Sequence, residues 1–323
     1  MKTLLESIAR LRVLVIGDIM LDHYIWGDAH RISPEAPVPV VSVERDTYVA
    51  GGAANVALNV RSIGAKVTVA GRFGRDEAGE TLATILGEAG VVTSEALRDD
   101  SIPTIVKTRV IVRNQQLCRL DREQSPRTYA LEADRTVTLL ESTLQGVDAI
   151  IFSDYAKGLL TTETIQALVN RAKSSGAWLA LDPKPRRQLS CDGLDLMTPN
   201  RTEALELAGL SWNPHDEYPA EGICQAIWNR YHPKHLVITL GAEGMLLSQS
   251  GKVDRIMPTY AQEVFDVSGA GDTVIAALTL ALAAGATIEE AAHFANTAAG
   301  VVVAKLGTAT ASPEEILSFH PGA

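Results

Sequence analysis

The sequence predicts an α/β fold in three layers, with a mainly parallel central sheet between two layers of helices. Short apolar runs rich in β-branched residues alternate with longer helical patterns along the 323 residues. Strands that are apolar on both sides are typical of a parallel sheet that helices cover on both faces. Ligands of such sheets bind at the carboxyl ends of the strands. Five polar or glycine residues lie at or just past these ends: Asp18, Asp154, Asp182, Asn200 and Gly241.

The predicted elements follow one another in this alternation. Five segments are predicted as strands of the central sheet: 12–17, 66–70, 148–152, 178–182 and 235–240. Six segments have a helical pattern: 53–63, 76–89, 131–145, 162–175, 221–230 and 274–284. Segments 37–43 and 103–121 break the alternation because both read as extended structure, the second as a hairpin turning near Asn114 and Gln115. They predict additional β structure outside the central sheet.

Composition limits the class of protein. With 46% hydrophobic residues the chain suits one large α/β domain or two small ones. The 39 acidic and 29 basic side chains give a formal charge of −10, which repels a polyanion, so we expect no nucleic acid partner. The three cysteines have neither a disulfide nor a zinc spacing, and no apolar run reaches the ~20 residues that span a bilayer. We expect a cytoplasmic protein without membrane contact.

The stretch Asp266-Val-Ser-Gly-Ala-Gly-Asp-Thr273 is the most informative part of the chain. Its glycines allow a sharp turn, and the following helix offers unpaired N–H groups and the positive end of its dipole, a combination typical of a phosphate site. Asp272 adds a carboxylate that can take a hydroxyl proton, which indicates phosphoryl transfer. The alternative is an ordinary loop and helix cap, because Asp and Gly are favoured at helix starts for local reasons.

Three further motifs occur in order along the chain: Gly51-Gly52 before a helix that carries Asn55, Asn200-Arg-Thr-Glu203 after a strand, and Thr239-Leu-Gly241 at a strand end. With the 266–273 stretch they resemble the ribokinase (PfkB) family of sugar kinases, over nearly the whole chain. The resemblance implies a ribokinase-like α/β/α fold, one kinase domain over 1–323, and a small β-sheet lid. The lid is expected from two insertions, at about 23–50 and 102–125, and is also expected to join two copies into a homodimer.

The resemblance assigns parts of the reaction to the motifs. Asp272 is the expected base for the sugar hydroxyl. Three consecutive residues form the expected anion hole for the γ-phosphate of ATP: Gly269, Ala270 and Gly271. Asn200 and Glu203 match the element that helps to hold Mg²⁺ and its waters, although a helical Asn-x-x-Glu could equally be a cap with a surface acid.

Nucleotide and cation contacts also follow from the resemblance. Thr239 and Gly241 match the nucleotide loop, and Asn296 matches a position near the adenine. Asp266 and Ser268 match positions where many members bind a monovalent cation, so K⁺ is an expected cofactor beside ATP and Mg²⁺.

The sugar side is expected at the first strand and the lid. Asp22 matches the family's substrate aspartate, and Asp18 is an additional acid that could accept bonds from vicinal hydroxyls. Gly51 and Gly52 match the lid hinge, and Asn55 matches a sugar-contacting amide.

Basic residues can recognise a phosphate that the sugar already carries. Lys107, Arg109 and Arg113 have spacings that place them on one strand face, where Lys is also a common guard on a solvated edge. We expect Arg109 to face the substrate. Lys184-Pro-Arg-Arg187 follows a strand end, and Lys184 is the expected second phosphate contact, whereas Arg186 and Arg187 fit a solvated loop equally well.

The segment 26–41 narrows the substrate. It resembles the D-glycero-β-D-manno-heptose-7-phosphate kinases of Gram-negative bacteria, which implies transfer of the γ-phosphate of ATP to O1 on the route to ADP-heptose and the lipopolysaccharide inner core. In many bacteria this kinase is fused to an adenylyltransferase; the printed sequence ends just after the kinase-like region, so that activity is expected in another protein.

Three other interpretations compete with this one. The nearest is another sugar or nucleoside kinase of the same fold, such as a ribokinase or a fructokinase. A Rossmann oxidoreductase is disfavoured because the first strand ends in Gly17-Asp-Ile-Met-Leu-Asp22 and lacks GxGxxG. A non-catalytic sensor would need neither Asp272 nor Glu203.

Overall fold

A nine-stranded sheet forms the middle layer of the protein in a computed structural model, which describes residues 1–185, 189–261 and 264–319. The strands in chain order are β1 Arg12–Gly17, β2 Ile19–Ile32, β3 Pro39–Gly52, β4 Lys66–Ala70, β5 Val92–Thr93, β6 Ile105–Val112, β7 Gln115–Arg122, β8 Ala149–Ser153, β9 Trp178–Asp182, β10 Leu196–Met197, β11 His235–Thr239, β12 Met245–Gln249 and β13 Lys252–Met257. The central sheet has the order β13-β12-β11-β10-β9-β8-β1-β4-β5. All of its described pairs are parallel except β11 with β12 and β12 with β13.

Helices cover both faces of this sheet, as predicted. They are α1 Lys2–Ile8, α2 Ala53–Ile63, α3 Glu77–Glu88, α4 Pro126–Tyr129, α5 Ala133–Leu144, α6 Thr162–Lys173, α7 Arg201–Ala208, α8 Ala220–Tyr231, α9 Ala270–Ala283, α10 Ile288–Val303 and α11 Pro313–Ser318. One apolar cluster joins α2, α9 and α10 to the sheet, and a second joins α5, α6 and α8 to its other face. Alternate residues of β1 enter the two clusters, Val13 and Val15 the first and Leu14 and Ile16 the second. The apolar strands are therefore buried on both sides.

A second, four-stranded sheet has the order β3-β2-β6-β7, and β2 pairs in parallel with β6. It confirms the β structure predicted for 37–43 and 103–121. Its strands are longer than predicted, because β2 and β3 extend over 14 residues each and pair from Ile19 with Gly52 outward to Ile32 with Pro39. β2 was not predicted from the sequence, because half-exposed polar and glycine residues and two register shifts interrupt its apolar alternation.

The β6–β7 hairpin corrects one predicted detail. Arg113 and Asn114 both have positive φ, 48° and 64°, so they form the two-residue turn. Arg113 therefore does not share a strand face with Lys107 and Arg109, and its guanidinium binds Asp28 instead.

Two other predictions concern the cysteines and membrane-spanning helices. Cys118, Cys191 and Cys224 are free thiols. Over the ranges that the structure describes, none of the helices has the length and apolar character needed to cross a membrane.

Candidate active site

A cavity of about 380 Å³ lies where the small sheet meets the start of α9. It is lined by predicted site residues from two distant stretches of the chain: Asp22, Gly51, Gly52, Asn55, Arg109, Ser268, Gly269 and Asp272. Residues more than 200 positions apart thus share one polar cavity, which we call the polar cavity below. Its wall combines a carboxylate at a helix start with several hydrogen-bonding and basic groups.

Asp272 lies in the first turn of α9 and is only 7% exposed. Its Oδ2 accepts a 2.5 Å hydrogen bond from Asn55 Nδ2, and its Oδ1 accepts a 2.8 Å bond from the Tyr155 hydroxyl. Burial raises the pKa of Asp272 to about 6, although these two hydrogen bonds favour the carboxylate and oppose the rise. A carboxyl group with this pKa is suited to accept a proton near neutral pH.

A buried polar contact between α2 and α9 supports this carboxylate. The Thr273 hydroxyl donates to Asn59 Oδ1 at 2.7 Å, and Asn59 Nδ2 donates to the carbonyl of Asn55 at 3.0 Å. These bonds tie α2 to the start of α9, beside the contact of the Asn55 amide with Asp272. Asn59 was not predicted, although it lies four residues after Asn55 and therefore on the same face of α2, a spacing that could have marked it.

Gly269 forms the N-cap of α9 in the left-handed conformation, with φ of 80°. A Cβ at this position would lie 3.0 Å from both the Asn55 amide nitrogen and the Thr308 methyl group. Glycine therefore allows the turn and also leaves room for the Asn55–Asp272 contact.

Arg109 and Asp22 form an ion pair inside the polar cavity, with 2.6 Å between Nη1 and Oδ1. Burial alone would lower the pKa of Arg109, but the hydrogen bond and charge of Asp22 outweigh it and raise that pKa. Lys107 and Arg119 line the same cavity, and each also contacts Asp121. Arg119 was not predicted, because its place on β7 became visible only from the pairing of β7 with β6.

Asp18 has a different position from the one expected. Its carboxylate accepts hydrogen bonds from the backbone N–H groups of Tyr155 at 3.0 Å, Lys157 at 2.8 Å and Leu159 at 3.4 Å. The described residues that line the polar cavity do not include it. Asp18 therefore holds the loop after β8, which contains Tyr155, instead of facing a sugar hydroxyl. Tyr155 itself was missed, although its place just past a strand end could have marked it.

Asn200 and Glu203 form a capping box at the start of α7, as the alternative interpretation held. Glu203 is nevertheless not a surface acid, because it is only 8% exposed and its Oε1 binds Lys184 Nζ. Burial would lower the pKa of Lys184, but the hydrogen bond and charge of Glu203 raise it. Lys184 consequently does not converge with Arg109: it is absent from the described lining of the polar cavity. Arg186 and Arg187 lie outside the described residues.

A second cavity, of about 280 Å³, lies on the other side of the turn formed by residues 269–272 and is mostly apolar. Its lining includes three residues predicted for the nucleotide, Thr239, Gly241 and Asn296, together with Ala270 and Gly271. The Asn296 amide donates to the carbonyl of Pro258 at 2.7 Å and accepts from the N–H of Tyr260 at 3.1 Å. It therefore holds the segment after β13 against α10, rather than presenting a free amide to a base.

Asp266 closes the loop before α9. Its carboxylate accepts from the N–H groups of Ser268 at 2.9 Å and Gly307 at 3.1 Å. Burial would raise its pKa, but these hydrogen bonds outweigh burial and lower it, so Asp266 is anionic near neutral pH. The structure thus brings together Asp266 and Ser268, the two residues expected at a monovalent cation. Within the described ranges there is no cluster of three or more His, Cys, Asp or Glu residues that could hold a metal by protein ligands alone.

This arrangement is suited to group transfer between two ligands. The 269–272 turn separates a polar cavity, which contains Gly269 and Asp272, from an apolar one, which contains Ala270 and Gly271. An anion bound at the turn would contact the start of α9 and face both cavities. The carboxylate would then lie beside an acceptor in the polar cavity.

Comparison with known proteins gives matches over nearly the whole chain. Residues 10–315 match the pfkB family of carbohydrate kinases. The bifunctional protein HldE of Desulfatibacillum aliphaticivorans is 43% identical over 305 residues, which are 94% of this chain and 62% of that protein. The chain thus spans a little under two thirds of that relative's length.

Two solved structures have a similar fold. Arabidopsis thaliana ribokinase, complexed with ribose and ATP, has a TM-score of 0.74 at 21% identity and covers 96% of this chain and 100% of its own. Phosphofructokinase-2 from Escherichia coli, in complex with potassium, has a TM-score of 0.73 at 20% identity and covers 95% and 97% of the two chains.

Proposed function

The chain belongs to the pfkB family of carbohydrate kinases, and we propose that it transfers the γ-phosphate of ATP to O1 of D-glycero-β-D-manno-heptose 7-phosphate. The family and the ribokinase-like fold predicted from the sequence are confirmed. The observation that carries the proposed reaction is the position of the 269–272 turn between a polar and an apolar cavity.

In this reaction the sugar occupies the polar cavity and the nucleoside of ATP occupies the apolar one. Asp272 accepts the proton of the O1 hydroxyl, O1 forms a bond to the γ-phosphorus, and the bond from phosphorus to the leaving oxygen of ADP breaks. N–H groups of residues 269–271 stabilise the transferring phosphoryl group. The small sheet acts as a lid that excludes water from the sugar.

Basic side chains support a sugar that already carries a phosphate. Arg109, Lys107 and Arg119 reach the polar cavity from the small sheet, although the protein as a whole has a charge of −10. Each can give a charge-assisted hydrogen bond to a phosphate oxygen. The segment 26–41, which resembles heptose-7-phosphate kinases, forms the outer parts of β2 and β3 in the same sheet. We therefore place the 7-phosphate beside these cations.

The test is ATP turnover by the purified protein across a panel that contains heptose 7-phosphate, unphosphorylated heptose, ribose, fructose and fructose 6-phosphate. We expect the highest kcat/KM for heptose 7-phosphate. Equal turnover of free heptose, or a higher kcat/KM for another sugar, would reject this substrate and favour a different sugar kinase of the family.

Mg²⁺ and K⁺ fit two acidic residues near the proposed position of the ATP phosphates, Glu203 and Asp266. Mg²⁺ prefers phosphate oxygens and water with one or two carboxylates, which suits the buried Glu203, and it would neutralise charge on the phosphates of ATP. Both Glu203 oxygens already have protein partners, so contact through water is the appropriate mode. A monovalent cation would be held near Asp266, with carbonyl groups of the loop around Gly307.

Glu203→Gln tests the role of Glu203. Gln also fits the third helical position of a capping box, so α7 should remain intact. We expect lower turnover that added Mg²⁺ partly restores, because the charge that attracts the ion is gone. Glu290→Gln, at the same position of the capping box of α10, is the matched control and should leave activity unchanged. Superimposable Mg²⁺ titrations of Glu203→Gln and the parent would assign Glu203 to the cap alone.

We also propose a homodimer formed through the small sheet. Large apolar side chains on this sheet and its β2–β3 connection are 46–64% exposed: Ile32, Val38, Val43, Tyr48, Leu117 and Leu120. Apolar groups exposed in one region commonly mark a protein interface. Analytical ultracentrifugation is the check, and a single 34.5 kDa species at micromolar concentration would contradict the dimer.

A further inference from the structure

The Tyr155 hydroxyl is the second hydrogen-bond donor to the Asp272 carboxylate. Tyr155 donates to Oδ1 at 2.8 Å, and Asn55 donates to Oδ2 at 2.5 Å. A carboxylate oxygen can accept two hydrogen bonds, so each oxygen keeps a site for another donor. The two protein donors therefore fix the carboxylate plane and still leave it able to accept a proton.

Tyr155 is itself held in place from two directions. Its backbone N–H donates to the buried Asp18 carboxylate at 3.0 Å, which anchors the loop directly after β8. Lys184 Nζ lies 5.6 Å from the centre of its ring. Tyr155 also lines the polar cavity, together with Asp272. Burial, followed by the charges of Asp272 and Asp182, raises the pKa of Tyr155 well above its ordinary value, so the phenol remains a donor throughout the working pH range.

We propose that Tyr155 is a positioning residue, which holds Asp272 in the orientation and the ionised form in which it accepts the proton of the sugar hydroxyl. The proposal rests on the proposed function, because it takes Asp272 as the base. Tyr155 acts through Asp272 and takes no proton itself. Neither the sequence motifs nor the family match assigns a role to it.

The lost hydrogen bond to Asp272 determines the sign of the effect, because the charges around Asp272 do not change. Lys184 favours its carboxylate form, whereas Asp22 and Asp182 disfavour it, and all three would remain in a Tyr155 variant. Loss of the Tyr155 hydroxyl removes one hydrogen bond that stabilises the carboxylate, so the pKa of Asp272 should rise. The carboxylate is the reactive form. The acid limb of the pH profile of kcat/KM should therefore move to higher pH.

Tyr155→Phe is the direct test, with ATP and D-glycero-β-D-manno-heptose 7-phosphate as substrates. We expect the acid limb, near pH 6 in the parent, to move up by about one pH unit, the scale of one lost hydrogen bond to a charged group. At pH 9 the variant should approach the parent rate. Tyr231→Phe is the matched control, because Tyr231 is 1% exposed and its hydroxyl has no hydrogen-bond partner among the residues described.

A second measurement does not depend on the substrate. The ¹³C shift of the Asp272 carboxyl, assigned with Asp272→Asn, reports its titration in the free protein and should show the same displacement in Tyr155→Phe. If heptose 7-phosphate is not turned over but this titration moves, the substrate assignment fails and the role of Tyr155 stands. A titration that does not move overturns the role of Tyr155, as does an equal loss of activity at every pH.

A variant that keeps the tyrosine guards against misfolding. 3-Fluorotyrosine at position 155 is a stronger donor and should move the Asp272 titration to lower pH. No displacement, or one to higher pH, would contradict the proposal even if Tyr155→Phe failed to fold.

Discussion

Asp272→Asn should lower turnover by about 10²–10⁴, the range that a positioned general base contributes. The amide has nearly the same shape, so the contacts to Asn55 and Tyr155 can be kept in part and the helix start is preserved. What disappears is a group able to take the hydroxyl proton. The measurement is kcat at saturating ATP and sugar phosphate, with ATP affinity and thermal unfolding determined in parallel.

Asp148→Asn is the matched control for this substitution. Asp148 accepts a 2.7 Å hydrogen bond from the N–H of Arg12, which Asn can also do, and the described lining of the polar cavity does not include it. It should leave kcat unchanged. If Asp272→Asn retained activity within a few-fold of the parent, Asp272 would not be the base.

Arg109→Ala should raise the KM for the sugar phosphate ten- to hundred-fold, with the KM for ATP little changed. The lost charge-assisted hydrogen bond contributes ~1.5–3 kcal/mol, and ~1.4 kcal/mol corresponds to a tenfold change in affinity.

Lys184→Ala should have the opposite profile and raise the KM for ATP, because Lys184 binds Glu203, where we place the phosphates of ATP. Both constants come from initial rates over a grid of the two substrates.

Two variants identify the source of the Arg109 effect. Arg113→Ala removes a cation from the same hairpin, but one that binds Asp28, and it should leave both KM values unchanged. Asp22→Asn in the Arg109→Ala background removes the carboxylate that the first substitution leaves unpaired. If the double variant recovers parent affinity for the sugar phosphate, repulsion by Asp22 caused the loss and Arg109 does not bind the phosphate.

The sequence predicted the central strands and the Asp272 turn well, because apolar periodicity and a glycine-rich helix start are local signals. The bounds of β9 and α2 match the predicted ones, and β8 is shifted by one residue. The long strand β2 was missed because it is half exposed and irregular. Its pairing partners lie elsewhere in the chain, so local pattern could not reveal it.

Side-chain partners were harder to predict than the elements that carry them. Asp22 and Arg109 were both placed on the sugar side. Their ion pair, however, depends on the register between β2 and β6, in which Arg109 pairs with Tyr24, two residues along β2 from Asp22. Lys184 was expected there too, and its strand end instead places it beside Glu203. A single sequence contains no information on such distances, and the pairing of Asp18 with backbone N–H groups is equally invisible in it.

The direct junction of β3 and α2 has a mechanical consequence. Gly52 is both the last residue of β3 and the N-cap of α2, and Asn55, three residues later, is bonded to Asp272. No loop separates the small sheet from the amide that donates to Asp272. A displacement of that sheet about Gly51 and Gly52 would therefore act directly on the Asn55 amide, and closure of the sheet would be coupled to the alignment of the carboxylate.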